Sequence, residues 1–288
     1  MKQLRKSRKF TDQFRPVHEL SEKVTALVGR QKQSQKKREL LGNHQKCWLW
    51  GRHAVLETLR AGRWLPLEVV ACPEMLTVEQ QQELSALQRT LRFPFQTASS
   101  EELRRFCGSQ EHQGLMAKMP SFPYGDPDEL LRRLPEDSAV LVLCGIQDPF
   151  NFGSILRSAD LFGINAVVVP KAGQAAVSSH VVRSSVGAVN YLTIVQVDQL
   201  LLYCRQLQGA GLKLHAATER GNLAPAQVSL TGPLAILIGN EGSGVPPELI
   251  ELSDVQLAIP QTGHVGSLNA AVAAGILCYE VQRQRRST

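Results

Sequence analysis

Three segments of this sequence place polar and charged side chains where glycine and proline interrupt apolar runs. The first, Gly145 to Arg157, follows the run Ala139-Val140-Leu141-Val142-Leu143-Cys144 and carries Asn151, Gly153 and Arg157. Asn151 and Gly153 read as a turn into a helix, with Arg157 about one turn inside it. A guanidinium there can hold a phosphate through two parallel hydrogen bonds, a geometry that lysine does not offer. A surface arginine and a capping asparagine explain the same residues. The second segment, Gly239-Asn240-Glu241-Gly242-Ser243-Gly244, lies between an apolar run and a helix opened by Pro246 or Pro247. Its glycines let a ligand approach the backbone, and Glu241 adds one carboxylate. A tight turn would account for the glycines but not for the glutamate. The third runs from Ile259-Pro260 through Ser267-Leu268-Asn269 into the alanine-rich stretch Ala270 to Leu277. Ser267 is a candidate N-cap there, and capping alone would explain it.

The surroundings define the elements that must position these residues. After Ala139, short apolar runs (Ala166 to Val169, Leu192 to Val195, Lys213 to Ala217, Leu234 to Ile238, Val255 to Ile259) alternate with amphipathic stretches. Continuous apolar strands separated by helices predict an α/β domain with a mostly parallel sheet covered on both faces. Ligands of such sheets bind beyond the carboxyl ends of the strands, where all three segments fall. Upstream, Leu67 to Cys72 and Gly114 to Lys118 read as strands, and the segments around Val55 to Leu59 and Glu79 to Leu91 read as helices. Proline and glycine punctuate Pro120 to Pro127 and mark a domain boundary. The predicted organisation is a basic tail over 1–46, a small α/β domain over 47–119, a linker over 120–137 and a larger domain over 138–288.

Composition narrows the function classes. The chain has 288 residues, 43% of them hydrophobic and 20% charged, which is ordinary for globular domains. Neither an apolar run long enough to span a bilayer nor a secretory signal is present, so a soluble, cytoplasmic protein without a membrane partner is expected. Six cysteines lie scattered without a C-x-x-C pair, which predicts reduced thiols and no metal site. The net charge is +6, yet residues 1–46 hold 13 Lys or Arg against 4 Asp or Glu, a balance of +9 that leaves −3 for the rest. A cationic arm of this kind gains affinity for nucleic acid by counterion release. An idle solvated tail or an organelle presequence fits the same residues.

Together and in this order, Asn151-x-Gly153-x-x-x-Arg157, Ile238-Gly239-Asn240-Glu241-Gly242-x-Gly244 and Ile259-Pro260 with Ser267-Leu268-Asn269 resemble the motifs of the SpoU (TrmH-like) RNA ribose methyltransferases of the SPOUT superfamily. The resemblance covers residues 138–285. More loosely, Gly51 to Lys118 is similar to the small substrate-binding domain that several members carry. It implies a C-terminal trefoil knot, a homodimer, S-adenosyl-L-methionine as cofactor and RNA, either rRNA or tRNA, as partner. By motif, Gly239, Ile259 and Leu268 would hold the cofactor, with Thr218 and Glu219 near its adenosine. Arg157, Asn151, Glu241, Ser267 and Asn269 would line the entry of the target ribose. Two departures stand out: Ala270-Ala271 replaces a common Val-Ser, and Gln261 replaces a common methionine.

The implied reaction transfers a methyl group to a ribose 2′-hydroxyl. A guanidinium, with a pKa above about 12, makes a costly base. Arg157 is therefore expected to clamp phosphate, with the proton passing to phosphate oxygen, Glu241 or water. A non-catalytic RNA-binding or ribosome-assembly module is the alternative. A nicotinamide-dependent oxidoreductase fits poorly, because no G-x-G-x-x-G follows the first strand.

Overall fold

A computed structural model describes residues 47–264 and 266–286. The basic tail predicted over 1–46 lies outside the described residues. Among them the strands form two sheets within one compact unit. The first sheet comprises β1 (Trp48–Trp50), β2 (Glu68–Ala71), β3 (Phe95–Thr97) and β4 (Leu115–Lys118), in the order β1-β4-β2-β3. β4 runs antiparallel to β1 and β2, whereas β2 and β3 are parallel. Helices α1 (Arg52–Ala61), α2 (Val78–Leu91) and α3 (Ser100–Cys107) connect these strands. Thr77 and Ser99 start α2 and α3 with reciprocal capping boxes, pairing with Gln80 and Glu102.

The second sheet comprises β5 (Ala139–Cys144), β6 (Ala166–Pro170), β7 (Thr193–Val197), β8 (Lys213–Ala217), β9 (Leu234–Gly239) and β10 (Val255–Leu257). Its order is β10-β8-β9-β5-β6-β7, and every pairing is parallel. The apolar runs of the sequence thus become the strands of a sheet covered on both faces. β5, at its centre, is buried along all six residues. One face packs Val140, Val142, Leu214 and Leu237 against Tyr203 and Leu207 of α7 (Leu200–Gly209) and Leu249 of α8 (Pro247–Leu252). Burying each such side chain contributes about 1.5–3 kcal/mol. On the opposite side, α5 (Pro149–Leu161) lies between α6 (Ser179–Ser184) and the C-terminal α9 (Ala270–Arg286), and α9 also packs on β9.

Three local expectations are corrected. Asn151 and Gly153 do not form a turn: Asp148 caps α5 by accepting from the backbone of Phe150 and Asn151, and Pro149 occupies its first turn. Both residues therefore lie inside the helix, and Arg157 stands about two turns in. Ser267 does not cap α9; Asn269 does, accepting from Ala271 N at 2.8 Å and Val272 N at 3.3 Å. The segment expected as a linker contains α4 (Pro127–Arg133), whose Leu130 and Leu131 pack against the core of the second sheet.

Hydrogen bonds tie the first sheet's elements to the second. Arg63 donates to the carbonyls of Asn190 and Leu192, and the Asn190 amide donates to Thr58 Oγ1 at 3.1 Å. All six cysteines are free thiols; Cys107 is partly exposed and the other five are buried. Among the described residues no helix is long and apolar enough to cross a membrane.

Gly153 sets the approach of α5 to α6. A Cβ added there would fall 1.9 Å from Ser184 Oγ and 2.8 Å from the Val181 carbonyl. Gly153→Ala should destabilise the fold by about 1–3 kcal/mol in chemical denaturation, as overpacking does. A Ser184→Ala background should recover only part of the loss, because the carbonyl cannot move aside.

Candidate functional site

The parallel order brings the carboxyl ends of β8, β9 and β10 to one edge of the second sheet, and the loops leaving them enclose a cleft of 610 Å³. Thr218 and Glu219 enter it after β8, Gly239 at the end of β9 with Glu241 just beyond, and Ile259, Ser267 and Leu268 after β10. Seven of the ten residues singled out by motif therefore line one cavity. Its volume lies within the range of small-molecule sites, about 300–1,000 Å³.

Backbone packing shapes the glycine segment. A Cβ on Gly239 would fall 2.1 Å from Gly244 C and 2.3 Å from Val245 N, so the loop folds directly back over this residue. Asn240 holds that fold. Its Oδ1 accepts from Gly242 N, Ser243 N and Ser243 Oγ at 2.7–3.1 Å, while its amide donates to Cys144 O at 3.3 Å. Asn240 was part of the quoted motif without a role; its position after a strand and before two glycines is the pattern of an Asx turn.

Two more motif residues join the cleft through Glu241. The Asn151 amide nitrogen donates to Glu241 Oε1 at 2.5 Å, and Asn269 donates to Asn151 Oδ1 at 3.0 Å. The Asn269 oxygen is then free to cap α9. One continuous hydrogen-bond chain thus connects the first turn of α5, the loop after β9 and the entry of α9. Arg157 stands apart. It is exposed on α5, is not among the residues lining the cleft, and its guanidinium has no hydrogen bond or ion pair among the described residues.

The cleft also holds an unsatisfied group. Thr218 Oγ1 is buried and has no hydrogen-bond partner among the described residues. A buried hydroxyl in that state costs stability unless a ligand or water meets it. Among the described residues no group of His, Cys, Asp or Glu has the arrangement of a metal site.

The architecture is that of an α/β ligand-binding protein with its cleft at parallel strand ends and an amide–carboxylate cluster beside it. The SpoU rRNA Methylase family model matches residues 138–279, and the model for RNA 2′-O ribose methyltransferase substrate binding matches residues 48–125. A protein of Staphylococcus aureus (strain MSSA476), named for the TrmH family of tRNA/rRNA methyltransferases, is 35% identical over 243 residues, which cover 82% of this chain and 95% of that one. The crystal structure of the SpoU methyltransferase AviRb from Streptomyces viridochromogenes matches with a TM-score of 0.73 at 25% identity, covering 93% of this chain and 98% of that chain. Its complex with the cofactor AdoMet matches with a TM-score of 0.73 at 26% identity, covering 86% and 95%. The chain belongs to the SpoU/TrmH family of RNA methyltransferases.

Asn151→Ala removes the link between Glu241 and Asn269. Amide hydrogen exchange should quicken over 240–244 and 266–272, while global stability falls by less than about 1.5 kcal/mol because the lost bonds are exposed. Unchanged exchange in both loops would show that the chain does not hold them.

Proposed function

We propose that this protein transfers a methyl group from S-adenosyl-L-methionine to a ribose 2′-hydroxyl of rRNA or tRNA. The observation that carries this reading is the junction at Glu241, which lines the 610 Å³ cleft and also accepts from Asn151. A cofactor site and a polar cluster able to receive a sugar hydroxyl therefore share one residue. The AdoMet-bound relative and the two family matches support the same assignment.

The residues present suit the cofactor. Gly239, Ile259 and Leu268 would hold it by backbone groups and apolar contact, and the unpartnered Thr218 hydroxyl would meet its adenosine side together with Glu219. When bound, S-adenosyl-L-methionine supplies an electrophilic methyl group on its sulfonium. A ribose hydroxyl is a weak nucleophile near neutral pH, so most of the protein's contribution is placement, worth about 7–11 kcal/mol in well-aligned cases. The Glu241–Asn151–Asn269 chain orients that hydroxyl, and Ser267 lies within the same wall. Glu241, phosphate oxygen or water takes the proton, while Arg157, which stands outside its own chain's cleft, neutralises the phosphate beside the ribose from a paired copy.

The family reading also includes a homodimer, and a specific surface supports it. Leu161 at the end of α5 and Val272, Ile276 and Tyr279 on α9 are exposed apolar side chains on two helices that pack together. Arg157 lies one turn before Leu161, so pairing of two copies across this face would place the guanidinium beside the partner. We further propose that 47–119 is the RNA-binding module of this chain, and that the segment between β10 and α9 carries the trefoil knot.

Incubation with labelled S-adenosyl-L-methionine and unmodified RNA, followed by nuclease digestion, should yield a 2′-O-methylnucleoside; methylation on a base instead would overturn the ribose assignment. Arg157→Ala should reduce turnover about 100-fold or more and leave cofactor affinity within about twofold in calorimetry. Light scattering should give twice the chain mass for the wild type and a monomer for Ile276→Glu. A monomeric wild type would remove the dimer from the proposal.

A further inference from the structure

Phe150 occupies the position just before Asn151 and is 61% exposed, although it opens a helix whose other aromatic, Phe152, is fully buried. Its ring does not stand alone. The His180 ring of α6 lies 5.8 Å away at an interplanar angle of 52°, and His180 meets Trp50 of β1 edge-on at 5.5 Å. The Arg183 guanidinium covers the Trp50 ring at 4.9 Å and pairs with Glu111 at 2.5 Å. An aromatic and cationic series therefore runs from the first sheet to the first turn of α5. Its outer end, Phe150 and His180, is exposed, while its inner end is held by Trp50 and Arg183.

Core packing does not require this arrangement, since the exposed parts of Phe150 and His180 face solvent. Single exposed apolar side chains are common, but a ring series that ends next to a catalytic residue gives one class of ligand a place to stack. Unpaired nucleobases bind proteins by stacking on such rings, with cations alongside for the phosphates. Enzymes that act on one nucleotide must also separate it from its neighbours, and a stacking surface offsets that cost. Consecutive Cα atoms lie about 3.8 Å apart, so Phe150 is within a nucleotide's reach of a ribose bound at Asn151.

We propose that Phe150 and His180 stack an unpaired base of the RNA substrate, at or next to the modified nucleotide, and so help select the site of methylation. Trp50 and Arg183 act as positioning residues that hold the His180 ring. The proposal rests on the functional reading above and adds the substrate feature that this part of the protein recognises: an unpaired base.

The test uses the full chain, labelled S-adenosyl-L-methionine and total RNA from cells that lack the protein, comparing wild type with Phe150→Ala, Phe150→Trp and His180→Ala. The expected result is a KM for RNA raised roughly 5- to 100-fold in Phe150→Ala, with Phe150→Trp near wild type. His180→Ala should move in the same direction by a smaller factor. Cofactor affinity by calorimetry should stay unchanged in all three, because neither residue lines the cleft. Wild-type KM in Phe150→Ala, or a Phe150→Trp variant as impaired as the alanine, would overturn the stacking role while leaving the methyltransferase reading intact. Wild-type protein that binds cofactor but methylates no RNA would overturn both.

Discussion

The site depends on one side-chain amide. Asn151 donates to Glu241 and accepts from Asn269, so a single residue in the first turn of α5 holds two loops whose partners lie 90 and 118 positions further along the chain. Neither bond is strong by itself, because each is exposed and exchanges with water. Their value is geometric: they set the carboxylate of Glu241 at the cleft while leaving the Asn269 oxygen to start α9.

That amide can act only because the backbone around it is rigid. Asp148 and Pro149 start α5 one residue before Phe150, and the bare Gly153 lets the helix settle against α6. At the C-terminal end of α9, Gln284 and Arg285 donate to the carbonyls of Pro225, Val228, Leu230 and Gly232. Gly275 lets the same helix lie close to α5, where an added Cβ would come within 3.4 Å of Ser158 Oγ. In the cleft itself, the buried Thr218 hydroxyl has no hydrogen-bond partner among the described residues.

Legibility in the sequence followed burial. The strands of the second sheet were readable because covering both faces leaves near-continuous apolar runs, as in Ala139 to Cys144. β3, with two of three residues exposed, has no such run. α3 was missed although Ser99 and Glu102 form a readable capping box. The start of α5 was also misread, though an aspartate followed by proline is itself a helix-start signal. Ser267 and Asn269 are both good cap residues, and propensity cannot choose between them.

From residue types and order alone followed the α/β class, the mostly parallel sheet and the three polar segments that line its edge. Tertiary structure decided which of those residues meet. The order β10-β8-β9-β5 places neighbours in space that are far apart in sequence, and hydrogen bonds link the segments that follow these strands. It likewise left Arg157 on an open helix face and joined Phe150 to Trp50 through His180. Local pattern specifies what each element buries, because burial is a property of one segment and its faces. Contact between segments depends on the path of the whole chain, which no local pattern encodes.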